Sequence, residues 1–183
     1  MHRTSPVTQV VAIGIGAALF FVLGRFVAVP SPVPNTSIAL QYGVLAVFAV
    51  LYGPWVGALA GFIGHLLVDA TGFGIWLSWE FATGVFGLVV GLLMLRHAIH
   101  EGEFGGRTIG RFLGAVVVAH ALAWLVIAPL GDILIYAEPA GKVFTQGAVA
   151  FVANTLTTGV IGTLLLLAYS RTRTRTGSLT VDR

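Results

Sequence analysis

Long apolar stretches constrain this chain more than any other feature of its sequence. Four of them, at about residues 10–29, 75–95, 112–136 and 143–169, are as long as the roughly 20-residue helix that crosses a bilayer. Only 9% of the 183 residues are charged, which is too few to cover a water-facing surface. The sequence therefore predicts a protein that is embedded in a lipid membrane. It excludes an ordinary cytosolic enzyme, a nucleic-acid-binding protein and a disordered chain.

A fifth apolar stretch, residues 38–70, is too long for a single crossing. As one helix its 33 residues would be about 50 Å long. The pair Gly53-Pro54, a strong helix breaker, falls near its middle. Division at this pair gives two short spans, residues 38–53 and 54–70. The chain is therefore predicted to be one all-α membrane domain, residues 1–183, with six transmembrane helices.

The arginines orient these six spans. Cytoplasmic loops of membrane proteins carry an excess of Lys and Arg. Segment 96–111 contains three arginines and the tail after residue 169 contains four. An arrangement of five spans would place one of these two segments outside, whereas six spans place both of them inside. We therefore expect both termini to be cytoplasmic.

Glycines and polar residues share one face in three of the predicted helices. In the third span Gly61, His65 and Asp69 recur every four residues and so lie on one ridge. The fourth and sixth spans carry similar rows, which include Glu80 and Asn154. Small residues let helices approach closely where no hydrophobic effect drives their association. These faces are predicted to point into the helix bundle.

The polar groups inside the predicted membrane gather in its outer half. Such groups are costly in lipid and usually mark a ligand or ion route, and the nearly apolar inner half argues against a continuous pore. We therefore expect a pocket that opens outward, covered by a stiff, extended lid formed by the proline-rich residues 30–36. The residues predicted to line it are Asn35, Thr36, Gln41, His65, Asp69, Trp79, Glu80 and Asn154.

The chemistry of these residues leaves alternatives open. His65 and Asp69 could form a structural bridge, a ligand clamp or a proton-transfer pair. A metal site is disfavoured because no third and fourth ligands stand at a fitting spacing. Glu80 could bind the edge of a polar ring on which Trp76 and Trp79 stack, or the tryptophans could belong to the interfacial belt. The sequence contains no catalytic or ATP-binding motif, and neither a metal nor a cofactor is expected.

Three segments of the chain resemble a known family. Residues 12–26 read AIGIGAALFFVLGRF, residues 29–36 read VPSPVPNT, and residues 64–79 read GHLLVDATGFGIWLSW. These segments are similar to the S components of energy-coupling factor (ECF) transporters, in the family often labelled as ECF riboflavin-transporter substrate-binding proteins. The resemblance covers most of the chain and is strongest over residues 12–91.

The resemblance implies a six-helix subunit of a prokaryotic plasma membrane that captures a vitamin-like molecule from outside. A T component and two cytoplasmic ATPases would then drive the release of this molecule. In many S components the first helix docks on the T component through Ala-x-x-x-Ala. The nearest equivalents here are Ala12-x-x-x-Gly16 and Gly14-x-x-x-Ala18.

The residues by themselves are also compatible with two other classes of function. One is an intramembrane enzyme that uses His65 and Asp69, and the other is a structural membrane subunit that binds no ligand. The enzyme would turn over its substrate without an ATPase partner. The structural subunit would tolerate the loss of the outer polar residues.

Overall fold

The computed structural model describes residues 5–72, 74–95, 99 and 103–173, and most of them are helical. A π-helical segment, Leu122–Ile127, joins the helices Gly106–Ala121 and Ala128–Tyr136 without a break. A hairpin pairs β1 (Val29–Pro30) with β2 (Ser37–Ile38). The predicted all-α class is confirmed. The helices are α1 (Pro6–Phe26), α2 (Gln41–Tyr52), α3 (Pro54–Ala70), α4 (Leu77–Met94), α5 (Gly106–Ala121), α6 (Ala128–Tyr136) and α7 (Ala140–Arg171).

Four helical segments within the described residues are long and apolar enough to cross a membrane. They are α1, α4, the continuous unit Gly106–Tyr136, and α7. The helices α2 and α3 are also apolar but have only 12 and 17 residues. Each of the six predicted segments therefore contains a helix. The count of six crossings and the cytoplasmic position of both termini stay predictions.

The break between α2 and α3 lies at Gly53. Its φ of +103° is a conformation that residues with a side chain rarely adopt. Pro54 follows at the start of α3, where its missing N–H removes no helical hydrogen bond. Gly57 in the first turn of α3 lies against Ala49 of α2. The two helices therefore pack side by side as a helical hairpin.

Helices α3 and α4 cross each other at close range. Gly57 and Gly87 bring the two backbones together, and a Cβ atom at Gly87 would overlap the carbonyl of Gly57. One turn further along α3, Gly61 lies against the backbone of Thr83. The glycine rows of the two helices thus face each other inside the bundle, as the sequence predicts.

Helix α7 shows how the bundle separates its apolar and polar faces. Val152, Leu156, Val160 and Leu164 recur every four residues and are each more than half exposed. Asn154 lies on the opposite, buried side of the helix. An apolar outer row and a polar inner row are typical of a helix that faces lipid on one side only.

Candidate ligand-binding site

A cavity of about 190 Å³ lies at one end of the bundle. Its walls come from the β1–β2 hairpin, the α3–α4 and α6–α7 connections, and the adjoining helix ends. Seven of the eight residues predicted to form the site line this cavity, although their role in binding stays a prediction. They are Asn35, Thr36, Gln41, His65, Asp69, Trp79 and Asn154.

Glu80, which was expected to line the site with them, lies behind the wall. Its side chain is fully buried, and its Oε1 accepts a hydrogen bond from the backbone N–H of Trp76 at 3.1 Å. A carboxylate in the first turn of a helix satisfies N–H groups that have no partner within the helix. Glu80 is also close enough to Asp69 for the two carboxyl groups to interact. It therefore holds the start of α4 in place and does not itself face the cavity.

Asp132 fixes two tryptophan rings in the cavity wall. Its Oδ1 accepts a hydrogen bond from Trp76 Nε1 at 2.7 Å, and its Oδ2 accepts one from Trp79 Nε1 at 2.9 Å. The hydroxyl of Ser78 also donates to Oδ1. Asp132 is only 2% exposed, so three donors surround a buried carboxylate. Hydrogen bonds to a charged acceptor are the stronger kind, and these hold both indoles in one orientation.

Two further aromatic residues extend this wall. Trp124 stacks on Trp79 with ring centroids 5.3 Å apart, and Tyr42 meets Trp124 edge to face at 5.5 Å. The π-helical segment carries Trp124, whose carbonyl lies so close to Gly147 of α7 that a Cβ atom there would overlap it. Single-turn π-helices occur frequently at functional sites. The cavity is therefore bordered by aromatic faces from α2, α4 and the π-helical segment.

His65 joins α3 to α4 through a hydroxyl group. Its Nδ1 lies 2.6 Å from Thr83 Oγ1, which is also 3.2 Å from the hydroxyl of Tyr42. Its Nε2 is 3.7 Å from Asp69 Oδ1, beyond the range of a normal hydrogen bond. Of the described residues, no group of three or more His, Cys, Asp or Glu is placed to hold a metal ion. His65 thus links α3 to α4 through Thr83, and it does not form a normal hydrogen bond with the carboxyl group of Asp69.

The proline-rich loop is a hairpin and not the extended lid that the sequence predicts. The backbone N–H of Ser31 donates to the carbonyl of Thr36 at 3.0 Å, and the Thr36 N–H donates to the carbonyl of Val33 at 3.3 Å. The hydroxyls of Ser31 and Thr36 also pair. Asn35 adopts a left-handed conformation with φ +59°, which Asn tolerates in turns. The non-proline residues of the loop therefore turn it back on itself.

Helix α7 anchors this hairpin and the segment that follows it. Gln146 Nε2 donates to the carbonyl of Pro34 at 2.9 Å. Asn154 Oδ1 accepts the backbone N–H of Ala39 at 3.2 Å, and the Thr157 hydroxyl donates to the Ala39 carbonyl at 2.8 Å. The hairpin and α7 are thus tied together at the cavity mouth.

Comparison with known proteins shows the family of the chain. The family model described as "ECF-type riboflavin transporter, S component" matches residues 5–171. The chain belongs to this family. Proteins similar to this S component are described as "UPF0397 protein". The one from Streptococcus gordonii (strain Challis) is 58% identical over 98% of this chain and 96% of its own. The one from Lactococcus lactis subsp. cremoris (strain NZ9000) is 49% identical over 97% of this chain and 98% of its own.

A solved structure shares the fold of this S component. It is described as "Crystal structure of FolT bound with folic acid", and it matches with a TM-score of 0.64 over 98% of each chain. The two sequences are only 13% identical, so the likeness concerns the fold. Family and fold together show a multi-pass membrane protein of a transporter family. Membership of a transporter family therefore favours neither of the two alternative functions, the intramembrane enzyme and the ligand-free structural subunit.

The two small-residue rows of α1 occupy different environments in this S component. Ala12 and Gly16 are buried, and a Cβ atom at Gly16 would lie 3.1 Å from Ala60 of α3. Gly14 and Ala18 are exposed, and no described atom lies within 4 Å of a Cβ placed at Gly14. The first row therefore packs within the chain, and the second forms open surface.

Several lining residues of this S component are absent from the predicted set. Asp132 and Gln146 carry a sequence signal, because each is a polar residue within an apolar stretch. Lys142 stands in a predicted outer loop, where nothing in the sequence separates it from an ordinary solvated side chain. Tyr42 and Trp124 carry no signal, since an aromatic residue in an apolar helix is indistinguishable from a core residue.

Proposed function

We propose that this chain is the subunit that captures a small, planar, polar nutrient from outside the cell for an ECF-type vitamin transporter. The observation that carries the proposal is the cavity itself, which joins an aromatic wall to a polar rim beneath a hairpin. Ligand pockets typically combine apolar and aromatic walls with a few placed polar groups. Membership of the S-component family supports the same conclusion.

The aromatic wall supports a planar ring as the substrate. Trp76, Trp79, Trp124 and Tyr42 all line the cavity. Indole and phenol rings bind other rings through offset stacks and edge-to-face contacts. The polar residues proposed to form hydrogen bonds with the edge of the ring are Asn35, Thr36, Gln41, His65, Asp69 and Asn154. A riboflavin-like ring or another vitamin ring fits this description.

The positions of the connections support an outward-facing cavity. The predicted outer segments in the β1–β2 hairpin and in the α3–α4 and α6–α7 connections together contain one lysine and no arginine. Eight of the nine arginines belong to the predicted inner segments, and Arg25, at the end of α1, is the exception. The cavity lies at the end of the bundle where the three lysine-poor connections meet. We therefore place it on the outer side of a bacterial plasma membrane, with both termini in the cytoplasm.

Partner subunits are proposed to supply the energy for uptake. The sequence carries no ATP-binding motif, so a T component and two ATPases would drive release. Helix α1 is the least enclosed of the four long spans. Of its 18 most apolar residues 22% are buried, against 28% to 50% of the corresponding residues in the other three spans. Its exposed row, Gly14 and Ala18, is the surface that we propose for docking on the T component.

Coexpression tests this function against the enzyme and structural hypotheses. The compound that copurifies with the chain would be identified by mass spectrometry. Its uptake would then be measured in cells that contain the chain alone, the T component and ATPases alone, or all four subunits. We expect accumulation only with all four and its loss with Asp69→Asn. Turnover by the chain alone would favour an enzyme, and a chain without a bound compound or an effect on uptake would favour a structural subunit.

A further inference from the structure

Carboxyl groups outnumber cations around the cavity. Among the described residues that line it, Asp69, Asp132 and Glu138 are acidic, whereas Lys142 is the one Lys or Arg. Lys142 Nζ lies 2.7 Å from Glu138 Oε2, so its charge already has a partner. Glu80, behind the wall, adds a fourth carboxyl group near Asp69. Among the described residues that line the cavity, a carboxylate or phosphate on a ligand would therefore meet an excess of acidic groups and no Lys or Arg without a partner.

Several hydrogen-bond donors at the cavity are already in use by the protein. The indole N–H groups of Trp76 and Trp79 donate to Asp132, and that of Trp124 donates to His120. The amide N–H of Gln146 donates to the carbonyl of Pro34. Each of these four donors is therefore occupied by a protein acceptor.

An acceptor at the cavity, in contrast, is left without a partner. Gln41 is only 6% exposed and lines the cavity, yet its buried Oε1 accepts no hydrogen bond within the described structure. A buried polar atom without a partner is costly, and a ligand that donates to it removes this cost. Asp69 adds a carboxyl group whose Oδ1 lies 3.7 Å from its basic neighbour, His65 Nε2.

From this distribution of charge and hydrogen bonds we infer the chemical class of the substrate. It is a neutral or cationic planar ring that presents N–H or NH₂ donors to Gln41 and Asp69 and carries no carboxylate or phosphate group. The inference rests on the proposed capture function and restricts its substrate. The substrate inferred for this chain also differs from the folic acid bound to FolT, which carries two carboxyl groups.

Ligand capture from a complex mixture tests the inference. The purified full-length chain would be incubated with a deproteinised small-molecule extract of a bacterial culture, washed and denatured, and the retained compounds identified by mass spectrometry. We expect a planar ring with N–H donors and no anionic group. A retained carboxylate or phosphate compound would overturn the inference and leave the capture function standing. If the chain retained nothing, the capture function would fail and the inference with it.

Glu138→Gln provides a second test, because it removes the partner of Lys142 and leaves a free ammonium group at the cavity. With the same extract, we expect at least a threefold rise in retained compounds that carry a phosphate or carboxylate. The matched control is the double variant Glu138→Gln/Lys142→Gln, which should return to the wild-type pattern. An unchanged pattern in the single variant would show that pairing of Lys142 does not exclude anions and would contradict the inference.

Gln41→Leu tests the acceptor directly. The retained compound should bind about three- to tenfold more weakly, because one hydrogen bond is lost. Gln41→Glu keeps an acceptor at this position and should bind a cationic compound at least as tightly as the wild type does. Thermal unfolding in detergent would show that the variants remain folded. Unchanged affinity in a folded Gln41→Leu variant would contradict the assignment of this acceptor to the ligand.

Discussion

Asp132 accepts more side-chain hydrogen bonds than any other described residue that lines the cavity. Its two oxygens accept from two indole N–H groups and one hydroxyl, so a single carboxylate positions Trp76, Trp79 and the start of α4. Burial strengthens these bonds because water does not compete for them. The cavity wall therefore depends on a residue whose own oxygens are occupied by the protein.

Asp132→Asn is expected to weaken binding of the captured compound at least tenfold. An amide presents one oxygen and one NH₂ group, so one indole N–H would face another donor and its ring would turn away from the wall. Affinity can be followed by quenching of tryptophan fluorescence. Ser78→Ala removes a single donor, keeps the carboxylate and should have a smaller effect. Equal affinity in Asp132→Asn and wild type would contradict this role.

The residues that could be predicted from the sequence are those whose chemistry is unusual for their surroundings. Asp69 and Asn154 stand out because they are polar within apolar helices, and both line the cavity. Glu80 has the same signal, but sequence alone does not show that its Oε1 would be taken by the N–H of Trp76. Tyr42 lies in the wall without any signal, since its role depends on which helices meet there.

Among the structural elements, the α3–α4 pair determines how His65 and Thr83 meet. Gly57 and Gly87 let the two helices approach until their backbones touch. The hydrogen bond between His65 and Thr83 lies about two turns after Gly57 in α3 and about one turn before Gly87 in α4. Helix spacing and ligand-site geometry are therefore coupled across this crossing.

Gly87→Ala is expected to destabilise the bundle by about 1–3 kcal/mol, the usual cost of overpacking a close contact. The added methyl group would overlap the backbone of Gly57, which cannot move without its whole helix. Thermal unfolding in detergent would measure the loss. Gly114→Ala is the matched control, since nothing described lies within 4 Å of the added carbon, and it should not lower the unfolding temperature. A similar unfolding temperature for Gly87→Ala and wild type would contradict the tight crossing.

Element boundaries were predictable where backbone chemistry is local. The pair Gly53-Pro54 marks the helix break because each residue disfavours a continuous helix by itself. The lid was less predictable, since its prolines fix their own φ angles but do not determine whether Ser31 and Thr36 pair across the loop. The π-helical segment, Leu122–Ile127, was not predicted, although Pro129, which removes one helical N–H, stands just after its end.

At the scale of the whole molecule, the two surfaces that we propose to be functional share no residue. One is the cavity at the end of the bundle, and the other is the exposed row of α1 that contains Gly14 and Ala18. This separation suits a subunit that must hold a nutrient and dock on a partner at the same time. Neither surface is visible from composition, because both depend on how the helices are arranged.

Gly14→Leu is expected to reduce assembly with the T component at least tenfold while ligand binding stays unchanged. The larger side chain would hold the partner helix away, and its Cβ would have no described atom of this chain within 4 Å beyond the neighbouring helix backbone. Copurification of the T component measures assembly. Gly114→Leu places the same bulk on the exposed face of α5 and should assemble normally. Normal assembly of Gly14→Leu would show that the T component docks elsewhere.

The central claim is that one molecule of nutrient occupies the cavity, and native mass spectrometry of the purified chain measures this most directly. Ala150 is buried and lines the cavity, so Ala150→Phe would fill it, whereas Ala148→Phe adds the same ring to the exposed side of the same helix. After incubation with the bacterial extract, we predict one bound molecule per chain in the wild type and in Ala148→Phe, and none in a folded Ala150→Phe. Equal occupancy in wild type and Ala150→Phe, or an empty wild type, would contradict the account.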